Sequence, residues 1–488
     1  MGGTKVGRFA AMNVLGSAVP LIVAVVTVPK YLDIFGEVRY GVWLIVWVLI
    51  SYLGVIDLGL GRATAHSVAK LRAASTGERE TVVWTGVTVN LGLGIVTGAL
   101  LLIVGELAVR LSPDFAGTLH SEVLAALPWL AASIPLFVVA SVLVGALEGL
   151  EQFLVVNVVG TLGTVSVQGL PLAAGFMIAP RLDVLAAATT LALVFSTALA
   201  AIACVVSIPL TTRPRFDRTR AGTLLRFGGW ITVTSIISPL LSTLDKLIIG
   251  AVSGARAVTY YTVPLNLVTK LWILPAGLAR SLFPRFSRLR RADAKGLADE
   301  ASRALGAIMT PVTVVGILTV DPFMRVWVGP TFASAAAMPA EILLLGIWVN
   351  SLAFVPYTLL QAEGRPDVPA KLHLFELLPF IGLLWFGVMF GGVAGAAVAW
   401  SVRVLFDTLC LMIAVKYPLR SQMYLVPAAM IALAAFGLAQ VTSASLSQRG
   451  VVVVVVVAAA LLWSWLIAPP SLRRYALRFF PRLRTATR

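Results

Sequence analysis

The sequence predicts an all-α polytopic membrane protein of about 14 transmembrane helices, and three observations carry that prediction. Segments 81–105, 123–147, 152–180, 184–212, 421–448 and 450–472 contain no Asp, Glu, Lys or Arg. Each is long enough to cross, because about 20 apolar residues span the ~30 Å hydrocarbon core as a helix. The chain is 59% hydrophobic and 12% charged, which excludes a soluble globular domain, where charged residues approach about a quarter. Its charges gather in short loops between the apolar runs. Lipid offers no hydrogen-bond partner to a bare backbone, so a helical bundle is the architecture to expect.

Breaks at charge clusters and at Gly and Pro place spans at 9–32, 40–61, 81–106, 123–147, 153–179, 184–209, 227–250, 257–282, 304–327, 338–361, 371–391, 393–415, 423–442 and 450–468. With a cytoplasmic N-terminus, the inner segments hold clusters such as Arg62, Lys70, Arg72 and Arg79, or Arg213, Arg215, Arg218, Arg220 and Arg226. The outer loops hold mostly single residues: Arg39, Arg110, Arg181, Arg256 and Arg449. This asymmetry follows the positive-inside rule and puts both termini in the cytoplasm, with the protein in the cell membrane. The formal net charge of +16 then reports topology, and no nucleic-acid partner is expected. Residues 1–8 lead into the first span rather than a cleaved signal peptide, since no small-residue cleavage site precedes a soluble domain. The longest polar segments, 62–80, 210–226 and 283–303, face the cytoplasm; the last is expected to form a short amphipathic helix on the membrane surface. Its "RFSRLRR" should also lie against anionic headgroups.

A weak internal repeat joins "PKYLDIFGEVRYGVW" at the end of the first span to "LDKLIIGAVSGARAVTYYTV" at the end of the seventh. Both read as an apolar helix with Lys, a Gly-containing turn, a short hinge with Arg, and a Tyr opening the next helix. The offset of six spans suggests duplicated halves, the plan of many secondary transporters. The expected division is 1–209 and 227–416 as six-helix bundles joined by a cytoplasmic linker at 210–226, then two further helices at 417–468 and a basic tail at 469–488.

The segments "N13-V-L-G16", "P29-K-Y-L-D-I-F-G36-E-V-R-Y40-G41-V-W43", "S51-Y-L-G-V-I-D57-L-G59-L-G61-R62-A" and "L244-D245-K246-L-I-I-G250" with Tyr260 and Tyr261 resemble the Wzx-type polysaccharide flippases. That group belongs to the multidrug/oligosaccharidyl-lipid/polysaccharide exporter superfamily. The resemblance implies a V-shaped pair of six-helix bundles that moves a polyprenyl-diphosphate-linked glycan from the inner to the outer leaflet. Nothing in composition or spacing shows a glycan.

A diphosphate-bearing substrate calls for a hydrated cationic cavity, and a lone charge at the bilayer centre costs roughly 2.5–3.5 kcal/mol. Lys30, Lys246, Lys270, Arg280 and Arg403 fall inside predicted spans and are the substrate-binding candidates. Lys30 and Arg280 are near enough to span ends to snorkel instead. Lys246, beside Asp245, reads either as a structural partner or as a cavity residue. Lys270 is placed mid-span, out of reach of either surface. Arg403 stands four residues before Asp407, a spacing that allows an internal pair on one helical face. Gating or ion-coupling candidates are Asp57, Glu376 and Asp407, with a contact to Arg62 open for Asp57 and interfacial placement open for Glu376. Pro20, Pro239, Pro264, Pro275, Pro311 and Pro356 are expected bending points. His66, His120 and His373 have no metal-ligand spacing, and Cys204 and Cys410 lie in apolar runs, so neither a metal nor a disulfide is expected.

There is no P-loop pattern and no cofactor is expected, so transport should be driven by a coupling ion, H+ or Na+, or by membrane potential. Membrane lipids are the other expected partner. A membrane glycan polymerase or ligase is the enzyme alternative, disfavoured by short, chemically sparse outer loops. Within transporters, a lipid II flippase of the MurJ type and a multidrug exporter stay open; the latter would favour acidic groups in its cavity.

Overall fold

The computed structural model describes residues 3–53, 59–71, 76–111, 118–208, 216–222, 241, 243–416, 422–441 and 446–479. Among them the regular structure is helical, with no strand. The helices are α1 (Gly3–Leu53), α2 (Leu60–Lys70), α3 (Thr76–Leu111), α4 (Thr118–Gly149), α5 (Phe153–Met177), α6 (Leu182–Ser207), α7 (Leu244–Val268), α8 (Ile273–Phe286), α9 (Arg291–Trp327), α10 (Pro330–Ala362), α11 (Asp367–Ala414), α12 (Leu425–Gln440), α13 (Leu446–Ile467) and α14 (Pro470–Phe479). A single 3-10 turn, Thr269–Trp272, links α7 to α8. Nine helical stretches among the described residues are long and apolar enough to cross a membrane. Most of 210–226, the first part of the predicted seventh span, and the tail beyond 479 lie outside the described residues.

Three of the helices are hairpins folded at glycine. In α1, Gly36 has φ 73° and ψ 167°, and in α7 Gly254 has φ 79° and ψ 172°. This is a backbone region that only glycine enters without steric cost. The chain reverses there: the Tyr31 and Tyr40 rings stack with centroids 5.5 Å apart, although nine residues of straight helix would hold them about 13 Å apart. In α11 the break is at Gly392, φ 54° and ψ −134°, and a Cβ on either Gly387 or Gly395 would collide with the backbone of the other. The two sequence segments read as a repeat thus share one backbone turn. Pro264 and Pro311 sit inside α7 and α9, and Pro356 inside α10, whereas the non-helical torsions fall on glycines. A glycine with positive φ reverses the chain outright; proline removes one helical hydrogen bond and bends the helix without reversing it. Pro239 lies outside the described residues.

Two compact units result. The first holds residues up to Thr243 together with Gly254–Thr259. Its centre is α4, against which α2, α3 and α6 pack. The approach of α2 to α4 is backbone to backbone at Gly61 and Gly145, where a side chain would clash. Small interfacial residues are how membrane helices gain close packing without a hydrophobic driving force. Polar side chains add bonds across the helices: Asn90 Nδ2 donates to the Val138 carbonyl at 2.7 Å and Thr190 Oγ1 to that of Trp129 at 2.9 Å. Buried Glu122 accepts both Arg39 Nε (2.8 Å) and Nη2 (2.7 Å) and the Leu182 N–H (3.2 Å), tying α1, α4 and α6 together. At the two hinges, Thr259 Oγ1 donates to the Glu37 carbonyl at 2.8 Å and Arg256 pairs with the Glu37 carboxylate at 3.4 Å.

The second unit comprises Leu244–Ser253 and the chain from Tyr260 onward. There α9 packs against α10, α12 and α13, while α10 also packs on α8 and α11. Trp348 Nε1 donates to Thr310 Oγ1 at 3.1 Å and Ser401 Oγ to the Ile342 carbonyl at 3.1 Å. The polar segment ahead of the ninth span is not a separate surface helix, since residues from Arg291 on belong to α9 itself. That part of α9 is held by tertiary contacts: Gln422 Nε2 reaches Asp299 at 3.3 Å, Ser471 Oγ reaches Glu300 at 2.5 Å, and Arg303 lies over the Tyr424 ring. A continuous helix is favoured because the buried alanines Ala294, Ala298 and Ala301 recur at helical spacing into the apolar run.

Candidate functional site

The second unit contains a cluster of ionisable side chains within apolar helices. The reversal at Gly392 lays the two limbs of α11 side by side, so residues near the start of one face residues near the end of the other. Arg403 Nη1 lies 3.9 Å from Glu376 Oε2, and the guanidinium sits over the Phe380 ring, 5.3 Å from its centroid. One turn toward the start of the first limb, His373 Nε2 is 3.5 Å from Asp407 Oδ1. Glu376 is within electrostatic reach of both Asp407 and Arg403, and Tyr357 on α10 is within reach of Asp407.

The hairpin of α7 supplies the rest. Asp245 Oδ2 accepts the Tyr261 hydroxyl at 2.9 Å, across the Gly254 reversal, and its Oδ1 accepts the Lys246 N–H at 2.8 Å. Arg403 bears electrostatically on both Asp245 and Tyr261. Asp245 and Tyr261 are 0% exposed, Glu376 2% and Asp407 5%. Three carboxylates therefore share one interior with a single arginine. Beside them, an open and largely apolar pocket of about 280 Å³ lies along α11, lined by Phe375, Phe380, Leu383 and Phe406 together with Glu376 and Arg403. Both carboxylate oxygens of Glu376 and the Arg403 Nε lack a hydrogen-bond partner among the described residues. An interior of this kind, with charges only loosely paired, can take up a proton or a small cation or meet a charged group.

Of the residues singled out from the sequence, Arg403, Glu376 and Asp407 are brought together, with Lys246 half-buried beside Asp245. Arg403 pairs with Glu376 on the opposite limb, whereas the spacing had suggested Asp407 four residues on. Glu376 is buried. Lys30 is exposed and stands 3.9 Å from Asp33. Arg280 is exposed, its Nε donating to the Ala276 carbonyl at 3.3 Å. Lys270 is exposed in the 3-10 turn between α7 and α8. Among the described residues the charged groups that are fully buried are thus carboxylates. Asp57 lies outside the described residues. Asp245, Tyr261, His373 and Tyr357 were missed as site residues. A signal was present for two of them, because His373 precedes Glu376 by one helical turn and Asp245 lies inside the predicted seventh span beside Lys246.

Comparison with known proteins places these features. A family model described as polysaccharide biosynthesis protein matches residues 37–337. A Shigella flexneri protein assigned as an O-antigen transporter is 31% identical over 402 residues, 82% of this chain and 95% of that protein. The lipopolysaccharide biosynthesis protein WzxC of Escherichia coli K12 is 25% identical over 190 residues, 38% of each chain. Among solved structures, the lipid II flippase MurJ aligns with a TM-score of 0.71 at 14% identity, over 98% of this chain and 99% of that one. A multidrug-resistance MATE transporter of the MOP superfamily aligns at 0.66 and 16% identity, over 83% and 98%. At these identities the solved structures speak for the fold alone.

Proposed function

The chain belongs to the polysaccharide biosynthesis protein family and has the all-helical membrane fold of MOP-superfamily transporters, and we propose that it is a flippase for a polyprenyl-diphosphate-linked oligosaccharide. It moves this lipid from the inner to the outer leaflet of the cell membrane by alternating access, with both termini cytoplasmic, in the synthesis of a surface polysaccharide. It acts as a transporter and not as an enzyme. The observation that supports this reading beyond kinship is the cluster of buried Asp245, Glu376 and Asp407 around half-buried Arg403 in the second unit. Ionisable groups inside membrane helices mark substrate or ion pathways, because nothing else offsets their desolvation. In this reading Glu376, Asp407 and Asp245 carry the coupling ion, H+ or Na+. Arg403, half-buried Lys246 and the exposed cations Lys270, Lys30 and Arg280 meet the diphosphate. Residues 1–209 rock against 227–416, with 210–226 as tether. Asp57 keeps its assignment as a gate.

Depletion of the protein is expected to leave the lipid-linked glycan on the inner leaflet, read by its protection from an external glycan-modifying enzyme. Unchanged outward transfer in depleted cells rejects the reading. A second reading, export of an organic cation, draws on the preponderance of carboxylates over cations among the buried charges. It requires that depletion raise the cellular retention of a cationic dye while glycan translocation is unaffected.

A further inference from the structure

We propose that the turn joining α8 to α9 is a binding site for anionic phospholipid, a property independent of what the protein transports. Arg285, Arg288 and Arg290 are exposed there, and among the described residues their side chains make no hydrogen bond or ion pair. The acids that share this end of the second unit are engaged elsewhere. Glu363 binds Arg291 (3.2 Å) and Arg365 (3.7 Å), Asp299 binds Arg303 (3.0 Å), Glu300 binds Ser471 (2.5 Å) and Asp367 binds Lys371 (2.8 Å). Exposed Asp293 in the first turn of α9 offsets only one of the three arginines.

Hydrocarbon surface is interleaved with these charges. Phe283 is 44% and Leu289 41% exposed, on either side of Arg285 and Arg288. The turn follows an apolar helix and precedes the polar first third of α9, so it sits at the hydrocarbon–water boundary, where phosphate groups lie above acyl chains. Free phosphate or nucleic acid would have no use for the exposed phenyl and leucyl groups. A single diphosphate headgroup would call for a converging cleft, whereas these arginines are spread along an exposed turn. Clusters of Arg beside a membrane helix attract anionic lipid with roughly a fivefold gain per residue.

The test is native mass spectrometry of the purified full-length protein, with retained phosphatidylglycerol compared to phosphatidylcholine from equimolar mixtures. Wild type is expected to prefer phosphatidylglycerol by at least tenfold and to lose that preference as ionic strength rises. The triple variant R285Q/R288Q/R290Q should lose the preference, and the triple lysine variant should keep it, since charge and not bidentate geometry is used. No preference in wild type, or full preference in the glutamine variant, overturns the proposal. Should the triple variant not fold, single Arg→Gln variants at each position decide in the same way, through graded loss or none. Displacement of the retained lipid by a soluble polyprenyl-diphosphate analogue at equimolar amounts would reassign the turn to substrate capture.

Discussion

Arg403 and Glu376 meet at 3.9 Å across the α11 hairpin, although continuous helix between them would separate the two by roughly 40 Å. The contact exists only because Gly392 turns the chain back. It joins a half-buried cation to a buried acid, so the pair is expected to be structural and functional at once.

Replacing one partner leaves the other uncompensated in a low-dielectric interior. Arg403→Leu is expected to destabilise the protein by about 3–5 kcal/mol and to lower its abundance in the membrane. The double variant R403L/E376L should recover abundance and remain inactive. Recovered transport in the double variant would show that the pair serves folding only.

Lys270 behaves differently because it is exposed and has no partner among the described residues. Arg, Ala and Glu at this position should leave abundance unchanged. Transport of the lipid-linked glycan should be partly kept with Arg, mostly lost with Ala and abolished with Glu, whose charge repels a diphosphate. A Glu variant that transports normally removes Lys270 from the substrate path.

Tyr261→Phe deletes the hydroxyl that Asp245 accepts at 2.9 Å. Loss of a bond to a buried charged acceptor is worth about 1.5–3 kcal/mol, visible as a lower thermal midpoint in detergent. Asp245→Asn keeps the hydrogen-bonding shape but removes the charge, and is expected to weaken the dependence of transport on the ion gradient more than it weakens folding.

Gly254→Ala forces a Cβ into a backbone region that L-residues avoid, at a cost of about 1–3 kcal/mol. Thermal unfolding should register this, and Gly36→Ala should behave alike because the torsions match. Equal stability of wild type and both variants would mean that the turns relax to another geometry.

Glu37 and Arg256 are in contact at 3.4 Å beside these two hinges. With Cys at both positions, a bifunctional thiol cross-linker should stop transport, while the untreated double variant transports, if the ends of spans one and seven must part during the cycle. Full transport by the cross-linked protein argues for a different motion.

The spans could be read from the chain because hydrophobicity over about 20 residues is a local, additive quantity. The uncharged run at 123–147 lies in α4, and most of the run at 184–212 lies in α6, with no reference to any neighbour. Gly36 was legible as part of a turn; in the second segment the glycine singled out was Gly250, and the reversal falls four residues on at Gly254. Partnership of charges was not legible. Arg403 has Asp407 at helical spacing, yet its closest acid comes from the other limb, chosen by the rotation of two helices about each other and by the reversal at Gly392. Lys270 counted as central along the sequence, but the 3-10 turn and the length of its side chain leave it exposed. Asp245 and Tyr261 read as a span end and an aromatic position until the α7 hairpin closed them into one hydrogen bond. Sequence determined which segments enter the membrane, since that depends on composition alone; tertiary structure decided which charges face each other, since that depends on where each hairpin turns and which face of each helix it buries.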